Sequence, residues 1–315
     1  MSSTPVHDRL MGGLVGLVVG DALGVPVEFS GRAMRDQDPV VGMRGYGTHN
    51  QPPGTWSDDG ALALAAANCL ADNGWDLDAI KRGFLAWIDD AWWTSGGAVF
   101  DVGNATRWAL ARVRRGLPWQ ECGGDEENDN GNGSLMRLLP TSVWLFGRPS
   151  EELIACAGDA GAITHAHVRA RLCCSYHALV CDALLSGRST EEAVRQSSDR
   201  LRRYVPTSER ECFNSLLTGV FLQRKRSEVR SDGYVVSTLE ASLWCLHNHP
   251  TFTEAVLAAV NLGGDTDTTA AVTGGLAGLR SGMAGIPAEW IAALPRSAEV
   301  LALADRFAEA CVRSW

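Results

Sequence analysis

The sequence of 315 residues predicts an all-α protein. Apolar residues recur every three or four positions along most of the chain, which is typical of helices with one buried face. Alternating apolar and polar residues, the pattern of half-buried strands, are nearly absent. Several segments are apolar on all sides and rich in Ala and Gly, as expected of helices that pack closely inside a large protein. No linker rich in Pro, Gly or Ser divides the sequence, so we predict a single domain over residues 1–315.

Ten segments carry the helical pattern, each through its own run of apolar residues. In chain order they cover residues 8–23, 59–71, 77–93, 103–116, 167–187, 190–205, 235–249, 252–264, 268–282 and 297–315. Ser189 precedes the sixth segment as a favourable N-cap residue. Clusters of Gly and Pro at 30–56, and of Gly, Asp and Asn at 118–132, predict the two longest loops.

Composition and charge exclude several classes of function. The formal net charge is −9, so the basic surface of a nucleic-acid-binding protein is missing and no nucleic-acid partner is expected. The nine cysteines include no CxxC pair, which indicates reduced thiols in a cytoplasmic protein. The N-terminus lacks the features of a signal peptide, and the longest apolar runs are shorter than the ~18 residues of a membrane span. We therefore expect a cytoplasmic monomer with no membrane partner.

An adjacent pair of carboxylates opens the second predicted helix. Asp58 and Asp59, in GTWSDDGALALAAANCLA, lie in a stretch with no Lys or Arg between Arg44 and Lys81. Capping by Ser57 is one explanation, since the helix dipole also favours acidic residues at this end. The dipole contributes only ~0.3–1 kcal/mol, however, which cannot offset several partly buried carboxylates.

Two further acidic segments repeat this arrangement. NLGGDTDTTAAVTGGLAGL places Asp265 and Asp267 at another apolar helix start, and GDALGVPVEF contains Asp21 and Glu28, both in stretches free of Lys and Arg. Capping by Asp265 explains one such motif taken alone. Aspartate oxygens with Ser and Thr hydroxyls suit Mg²⁺ or Mn²⁺, and three segments supply enough oxygens for a two-metal centre. Arg residues distant in sequence remain an alternative source of positive charge.

Five motifs, in order, carry a resemblance to a known family. GDALGVPVEF, GTWSDDGALAL, DVGNATRWAL, GNGSLMRLLP and NLGGDTDTTAAVTGGLAG together resemble the ADP-ribosylglycohydrolase family, from about residue 8 to 290. The resemblance implies a compact orthogonal bundle of helices with two Mg²⁺ or Mn²⁺ ions. It also implies hydrolysis of the N- or O-glycosidic bond between ADP-ribose and an acceptor. The forms GNGSLMR and DVGNATR resemble the branch that activates dinitrogenase reductase, so arginine on a protein is the expected acceptor.

The resemblance assigns ligands to both ions. It implies one ion held by Ser57, Asp58, Asp59 and Asp267, and a second held by Glu28, Asp265, Asp267 and Thr268. Asp267 would therefore bridge the two ions. Gly60 departs from the family pattern, because many relatives carry Thr after the two aspartates and Gly removes that hydroxyl.

Substrate-binding residues come from the Gly-rich stretch NDNGNGSLMR. In the family this loop runs beneath the pyrophosphate, so the resemblance implies contacts from Gly131, Asn132, Gly133 and Ser134. Glycines permit close backbone approach, and we expect LMRLL to form a helix whose first N–H groups receive phosphate oxygens. His165 matches a family position that approaches ADP-ribose, and a packed or capping histidine is the alternative.

Two carboxylates are candidates for acid–base catalysis. Asp101 matches a family Asp beside the scissile ribose, and Glu28 is the other candidate; the sequence does not assign the step between them. A helix cap is the alternative for Asp101. The favoured function is hydrolysis of an ADP-ribosylated protein or of a small-molecule ADP-ribose conjugate. An immunity protein against an ADP-ribosylating toxin and a non-catalytic ADP-ribose-binding protein remain alternatives.

Overall fold

The computed structural model describes residues 5–315, and this range contains fifteen α-helices. In chain order they are α1 (Val6–Gly24), α2 (Arg32–Gln37), α3 (Asp58–Asn73), α4 (Leu77–Asp90), α5 (Asn104–Arg114), α6 (Leu139–Trp144), α7 (Ser150–Ala162), α8 (Val168–Leu185), α9 (Thr190–Leu201), α10 (Arg210–Thr218), α11 (Val235–Asn248), α12 (Phe252–Val260), α13 (Thr266–Ser281), α14 (Ala288–Ala292) and α15 (Ser297–Ser314). Within the described range there are isolated β-bridges but no β-sheet. The all-α prediction is confirmed.

Each of the ten predicted segments coincides with one of these helices to within a few residues at either end. Helices α2, α6, α10 and α14 are short and are not predicted, because their sequences display no clear helical period. Helix α12 is also short, but its apolar pattern continues beyond the end of the helix. Ser150 with Glu152 indicates a helix start in the sequence, and α7 begins there, but its length is not predicted because Ala and Gly occupy much of its buried face. The predicted loop at 118–132 contains only 3₁₀ turns, whereas 30–56 includes α2.

Helices α1 and α13 are almost entirely buried and pack with their backbones in contact. Glycines recur every four positions along one face of α1, so that face carries no side chains. A Cβ atom at Gly16 would lie 2.5 Å from the carbonyl oxygen of Gly274, and one at Gly24 would collide with Asp267. This close approach fixes the start of α13 beside the end of α1, where two of the acidic segments meet.

Helix α1 and the turn after it meet the length and composition of a membrane span, with a mean hydropathy of 1.8 over Val6–Val27. In the fold, however, 94% of the most apolar window is buried inside the protein. The core helix of a globular protein has the same composition. The expectation that no segment would resemble a membrane span, which was based on the length of apolar runs, therefore underestimates the hydropathy of this helix. Its burial in the core explains why the helix is so apolar.

One cluster of buried apolar side chains extends from Leu10 to Cys311 and includes residues from both ends of the chain. Helices α1, α3 and α15 contact one another within it. All nine cysteines are free. The shared core supports the single-domain interpretation, which stays a prediction, as do the cytoplasmic location and the monomeric state.

Candidate functional site

The predicted acidic residues meet at a cavity of about 320 Å³. It lies between the turn after α1, the start of α3, the loop before α5 and the start of α13. Its lining residues are Glu28, Phe29, Asp58, Asp59, Asp101, Gly103, Asn104, Ala105, Thr106, Asn128, Gly131, Asn132, Gly133, Met136, His165, Asp265 and Thr268. Cavities of about 430 and 560 Å³ elsewhere contain no such group of carboxylates, so volume alone does not identify the site.

The start of α3 is capped by residues other than its two aspartates. Ser57 is the N-cap, and its Oγ accepts a hydrogen bond from the Asp59 backbone N–H at 3.3 Å. Asp21, near the end of α1, accepts from the backbone N–H of Ser57 at 3.0 Å and from that of Gly60 at 2.7 Å. Three backbone N–H groups at this helix start are thereby occupied. The carboxylates of Asp58 and Asp59 remain available to the cavity.

Sequence reasoning missed this role of Asp21. The signal was an isolated carboxylate inside a helix that is otherwise apolar and buried. Such a group must find hydrogen-bond donors within the fold. A Cβ atom at Gly60 would lie 2.9 Å from Asp21 Oδ2, so this glycine allows the Asp21 carboxylate to approach the helix backbone.

The start of α13 uses its aspartates differently. Asp265 occupies the N-cap position but makes no capping hydrogen bond, so the capping explanation is wrong for this residue. Its Oδ2 accepts from Asn132 Nδ2 at 2.8 Å, and its Oδ1 is buried without a partner among the described residues. Thr268 Oγ1 donates to Asp59 Oδ1 at 3.4 Å and so connects the two helix starts.

Among the described residues, three groups of side chains are close enough to share a cation. One contains Glu28, His49 and Asp101, and the other two consist of carboxylates alone. One ligand atom each from Glu28, Asp265 and Asp267 lie within 4.8 Å of one another, and so do atoms from Asp21, Asp59 and Asp267. Asp267 belongs to both carboxylate groups, as expected of a bridging ligand. Asp58 lines the same cavity outside these two groups.

Burial and mutual repulsion raise the pKa values of the buried carboxylates at the two helix starts and at Glu28. Together they raise the pKa of Glu28 to about 10, and they raise the pKa values of Asp58, Asp59 and Asp267 well above the usual range. Within residues 5–315, no Lys or Arg side chain forms an ion pair with any of these four groups. The alternative of distant Arg partners is therefore wrong, and the carboxylates require another source of positive charge to ionise together.

Asp101 lies at the mouth of the cavity rather than at a helix start. Helix α5 begins at Asn104 with Gly103 as its N-cap, so the capping alternative for Asp101 is wrong. Its backbone has a positive φ of 54°, which is uncommon for a residue with a side chain and is often found at functional sites. The side chain is partly exposed, in contrast to the buried aspartates behind it.

His49 is a second residue that sequence reasoning missed. Its Nε2 forms a short hydrogen bond with Glu28 Oε2 and lies 4.0 Å from Asp101 Oδ1. The ring packs between Phe29 and Phe100, with centroid distances of 6.3 and 5.4 Å. Nothing in the loop sequence around position 49 distinguishes this histidine. It contacts Glu28 only because the intervening loop of about twenty residues folds so that its two ends lie side by side.

The Gly-rich loop reaches the cavity, but the predicted LMRLL helix is wrong. Residues 133–137 form turns, and α6 begins only at Leu139. The carbonyl oxygen of Asn132 accepts from the N–H groups of Leu135 and Met136 at 2.8 and 3.1 Å. The loop at Gly131–Gly133 therefore lines the cavity as irregular backbone, without a helix N-terminus behind it.

Of the remaining predicted contacts, His165 reaches the cavity and Ser134 does not. A Cβ atom at Gly133 would lie 2.8 Å from His165 Cε1, so the ring lies directly against the Gly-rich loop. Ser134 is fully buried, and its Oγ contacts Cys174 Sγ at 3.5 Å on the core side. The capping alternative belongs to His167, whose side chain accepts from the Arg169 N–H at the start of α8.

Comparisons with known proteins agree with this architecture. An ADP-ribosylarginine hydrolase, Tri1, from Pseudomonas putida (strain GB-1) is 35% identical over 95% of this chain and 77% of its own length. A hydrolase of the same name from Serratia proteamaculans (strain 568) is 33% identical over 95% of the chain and 78% of its length. The ADP-ribosyl-(dinitrogen reductase) glycohydrolase of Rhodospirillum rubrum is 30% identical over 95% and 94%.

A solved structure extends the likeness to three dimensions. A chain described as an ADP-ribosylglycohydrolase-related protein complex superposes with a TM-score of 0.82 and 32% identity, over 97% of this chain and 99% of that one. The sequence profile of the ADP-ribosylglycohydrolase family matches residues 2–315. This chain therefore belongs to the ADP-ribosylglycohydrolase family, whose members are hydrolases.

Proposed function

We propose that this protein is a metal-dependent hydrolase that removes ADP-ribose from modified arginine on a protein. The observation that carries the proposal is the group of buried carboxylates beside a glycine-rich loop in one cavity. The names of the Pseudomonas and Serratia relatives support arginine as the acceptor, and that of the Rhodospirillum relative supports a protein substrate. Free arginine conjugates would fit the same chemistry.

The side chains of the site fit two divalent cations. Asp59 Oδ2 and Asp265 Oδ1 are buried oxygens without hydrogen-bond partners in the described chain, and a cation would satisfy both. Oxygen ligands without Cys or His suit Mg²⁺ or Mn²⁺. One ion would be held by Ser57, Asp58, Asp59 and Asp267, and the other by Glu28, Asp265, Asp267 and Thr268. When bound, the ions would polarise and orient the hydroxyls of the ribose.

Asp101 is our candidate for the acid–base group. It lies at the mouth of the cavity and is more exposed than the aspartates assigned to the ions. Hydrolysis breaks the bond between C1″ of the ribose and the arginine nitrogen, and the positive charge that develops on the ribose is stabilised by a neighbouring carboxylate. Asp101 would take a proton from the attacking water and return it to the leaving nitrogen. Glu28, buried and hydrogen-bonded to His49, serves better as a metal ligand.

The phosphates of the substrate would lie along the Gly131–Gly133 loop. No side chain larger than hydrogen blocks the backbone at these two glycines, so phosphate oxygens can approach N–H groups directly. This arrangement explains how a protein with a net charge of −9 could bind an anionic ligand. Backbone dipoles and bound cations would neutralise the phosphates in place of a basic surface.

The test is release of ADP-ribose from three purified substrates with arginine, serine and nucleic-acid linkages. Each reaction is run after chelation and again with added Mg²⁺ or Mn²⁺. We expect release from the arginine linkage only, and only with added metal. Asp101→Asn protein provides a control that keeps every assigned metal ligand. Faster release from another linkage would refute the acceptor, and full activity in chelator would refute the metal requirement.

A further inference from the structure

Arg137 is a buried cation without a carboxylate partner among residues 5–315. Its side chain is 1% exposed, and its guanidinium lies 4.3 Å from the ring centre of Phe84. Its shortest hydrogen bond runs from Nη2 to Thr164 Oγ1 at 2.8 Å, and its other contacts, to the carbonyls of Ala160 and Gly161, are 3.4 to 3.5 Å long. Burying an unpaired charge is costly, so this placement calls for a compensating interaction.

The hydroxyl of Thr164 connects this cation to His165. Thr164 Oγ1 lies 2.9 Å from His165 Nδ1 while it accepts the hydrogen bond from Arg137. Thr164 is fully buried, and its side chain has no third partner in the described chain. If the hydroxyl accepted from both neighbours, its own proton would have no acceptor. The arrangement is satisfied only when the hydroxyl donates to Nδ1.

His165 then carries its proton on the other nitrogen. A neutral imidazole that accepts at Nδ1 has its N–H at Nε2. Burial, with a smaller effect of Arg137, lowers the pKa of His165 to about 3, so the ring is neutral at physiological pH. Nε2 has no hydrogen-bond partner in the described chain, and it lies 3.6 Å from the position of a Cβ atom at Gly131, which lines the cavity.

We infer that Arg137 and Thr164 are positioning residues that hold His165 as its Nε2–H tautomer, so that it donates a hydrogen bond to a phosphate oxygen of ADP-ribose. The identity of the ligand rests on the proposed function. The opposite tautomer would present a nitrogen lone pair to the phosphate and repel it. The positive charge of Arg137 lies behind the ring and favours an anion in front of it.

The first experiment reads the tautomer in protein without substrate. Full-length protein with ¹⁵N-labelled histidines gives long-range ¹H–¹⁵N correlations that distinguish the two tautomers, and a His165→Gln spectrum identifies the signals. We expect Nε2–H in the wild type and in Thr164→Ser, but a shift towards Nδ1–H in Thr164→Val, which keeps the shape and removes the hydroxyl. A wild-type ring in the Nδ1–H form overturns the inference, and that reading requires only the His165→Gln variant to fold, not the Thr164 variants.

The second experiment measures ADP-ribose binding by calorimetry. Thr164→Val should bind about tenfold to a hundredfold more weakly, the usual effect of losing a hydrogen bond to a charged group. Thr164→Ser should restore the affinity. Thr141→Val is the matched control, since Thr141 in α6 is also buried and, in the described chain, donates only to the carbonyl of Leu138, which precedes the helix.

The outcomes of these experiments separate the inference from the proposed function. Unchanged affinity in Thr164→Val, or an equal loss in Thr141→Val, overturns the role of Thr164. If the wild type binds no ADP-ribose, the proposed function fails, and the tautomer spectra still decide whether Arg137 and Thr164 orient His165.

Discussion

The starts of helices α3 and α13 carry similar acidic sequences but satisfy their backbones differently. At α3, Ser57 and Asp21 accept three of the backbone N–H groups. At α13, Asp265 stands at the N-cap position without capping and accepts from Asn132. The comparison shows that the two helix starts differ in how much of their carboxylate oxygen the backbone uses: Asp21 accepts backbone N–H groups although it also lies near Asp59 and Asp267, whereas other oxygens find no donor in the described chain. Asp265 Oδ1 and Asp59 Oδ2 are oxygens of this second kind.

The largest expected effect comes from Asp267, the residue common to both groups of oxygens. Asp267→Ala should lose metal, turnover and ADP-ribose binding together, because the remaining carboxylates repel one another without the shared anion and its cations. Asp58→Ala is the matched control and should regain part of its activity in excess Mg²⁺ or Mn²⁺. Metal stoichiometry and turnover are measured across a metal titration. Equal rescue of the two variants would contradict the bridging role.

Chelation should abolish turnover and leave the fold intact. The apolar core from Leu10 to Cys311 contains no part of the acidic site, whereas under the proposed function the carboxylates of both helix starts hold the ions. Circular dichroism before and after chelation should show unchanged helix content, and readdition of Mg²⁺ or Mn²⁺ should restore activity. Loss of helical signal on chelation would mean that the two helix starts need the ions to form.

Asp101 is a carboxylate of the site that belongs to neither helix start, and its substitution tests acid–base catalysis. Asp101→Asn should cut turnover by ~10²–10⁴-fold, the usual contribution of one acid–base group, and keep ADP-ribose affinity and metal content. Single-turnover rates and calorimetry measure the two quantities separately. A near-wild-type rate would leave Glu28 as the remaining acid–base candidate.

Substitutions of Asp21 and Asp59 measure, as a difference in the free energy of unfolding, how much the start of α3 depends on the hydrogen bonds to Asp21. Asp21→Ala and Asp59→Ala each remove one buried carboxylate from the same cluster, so the relief of repulsion is similar in both. Only Asp21→Ala leaves the N–H groups of Ser57 and Gly60 without acceptors. We expect the free energy of unfolding of Asp21→Ala to be about 1–3 kcal/mol lower than that of Asp59→Ala. Urea denaturation in the presence of chelator measures both values. Equal stability would show that Asp21 is not the anchor of α3.

A buried histidine outside the site, which stays neutral, shows its effect only as the pH is lowered. Burial lowers the pKa of His177 to about 4, and its Nδ1 lies 2.9 Å from Ser142 Oγ. Between pH 6.5 and 4 the unfolded chain binds a proton at this residue and the folded chain does not, so stability falls as the pH falls. Relative to His177→Gln, the wild type should lose about 1.4 kcal/mol per pH unit in this window. If the stabilities of the wild type and His177→Gln changed in parallel with pH, this expectation would be wrong.

Much of the site could be predicted because its information is local. Acidic residues at apolar helix starts, within stretches free of Lys and Arg, identify Asp58, Asp59, Asp265 and Asp267 before any contact is known. The helices themselves follow from apolar periodicity, which a segment of ten or more residues displays on its own. Short helices such as α2 and α14 lack enough residues to show a period, and the LMRLL segment is apolar without being helical.

By itself, the sequence determined the all-α class, the main helices, the oxygen-rich chemistry of the site and the family. Only the tertiary structure decided which partners these groups find. It showed that no distant Arg within residues 5–315 reaches the carboxylates, that Asp21 accepts hydrogen bonds from the start of α3, and that His49 approaches Glu28. It also placed Arg137 behind Thr164 and His165. Hydrogen bonds between residues far apart in sequence leave no periodic trace along the chain, because their geometry exists only once the helices pack.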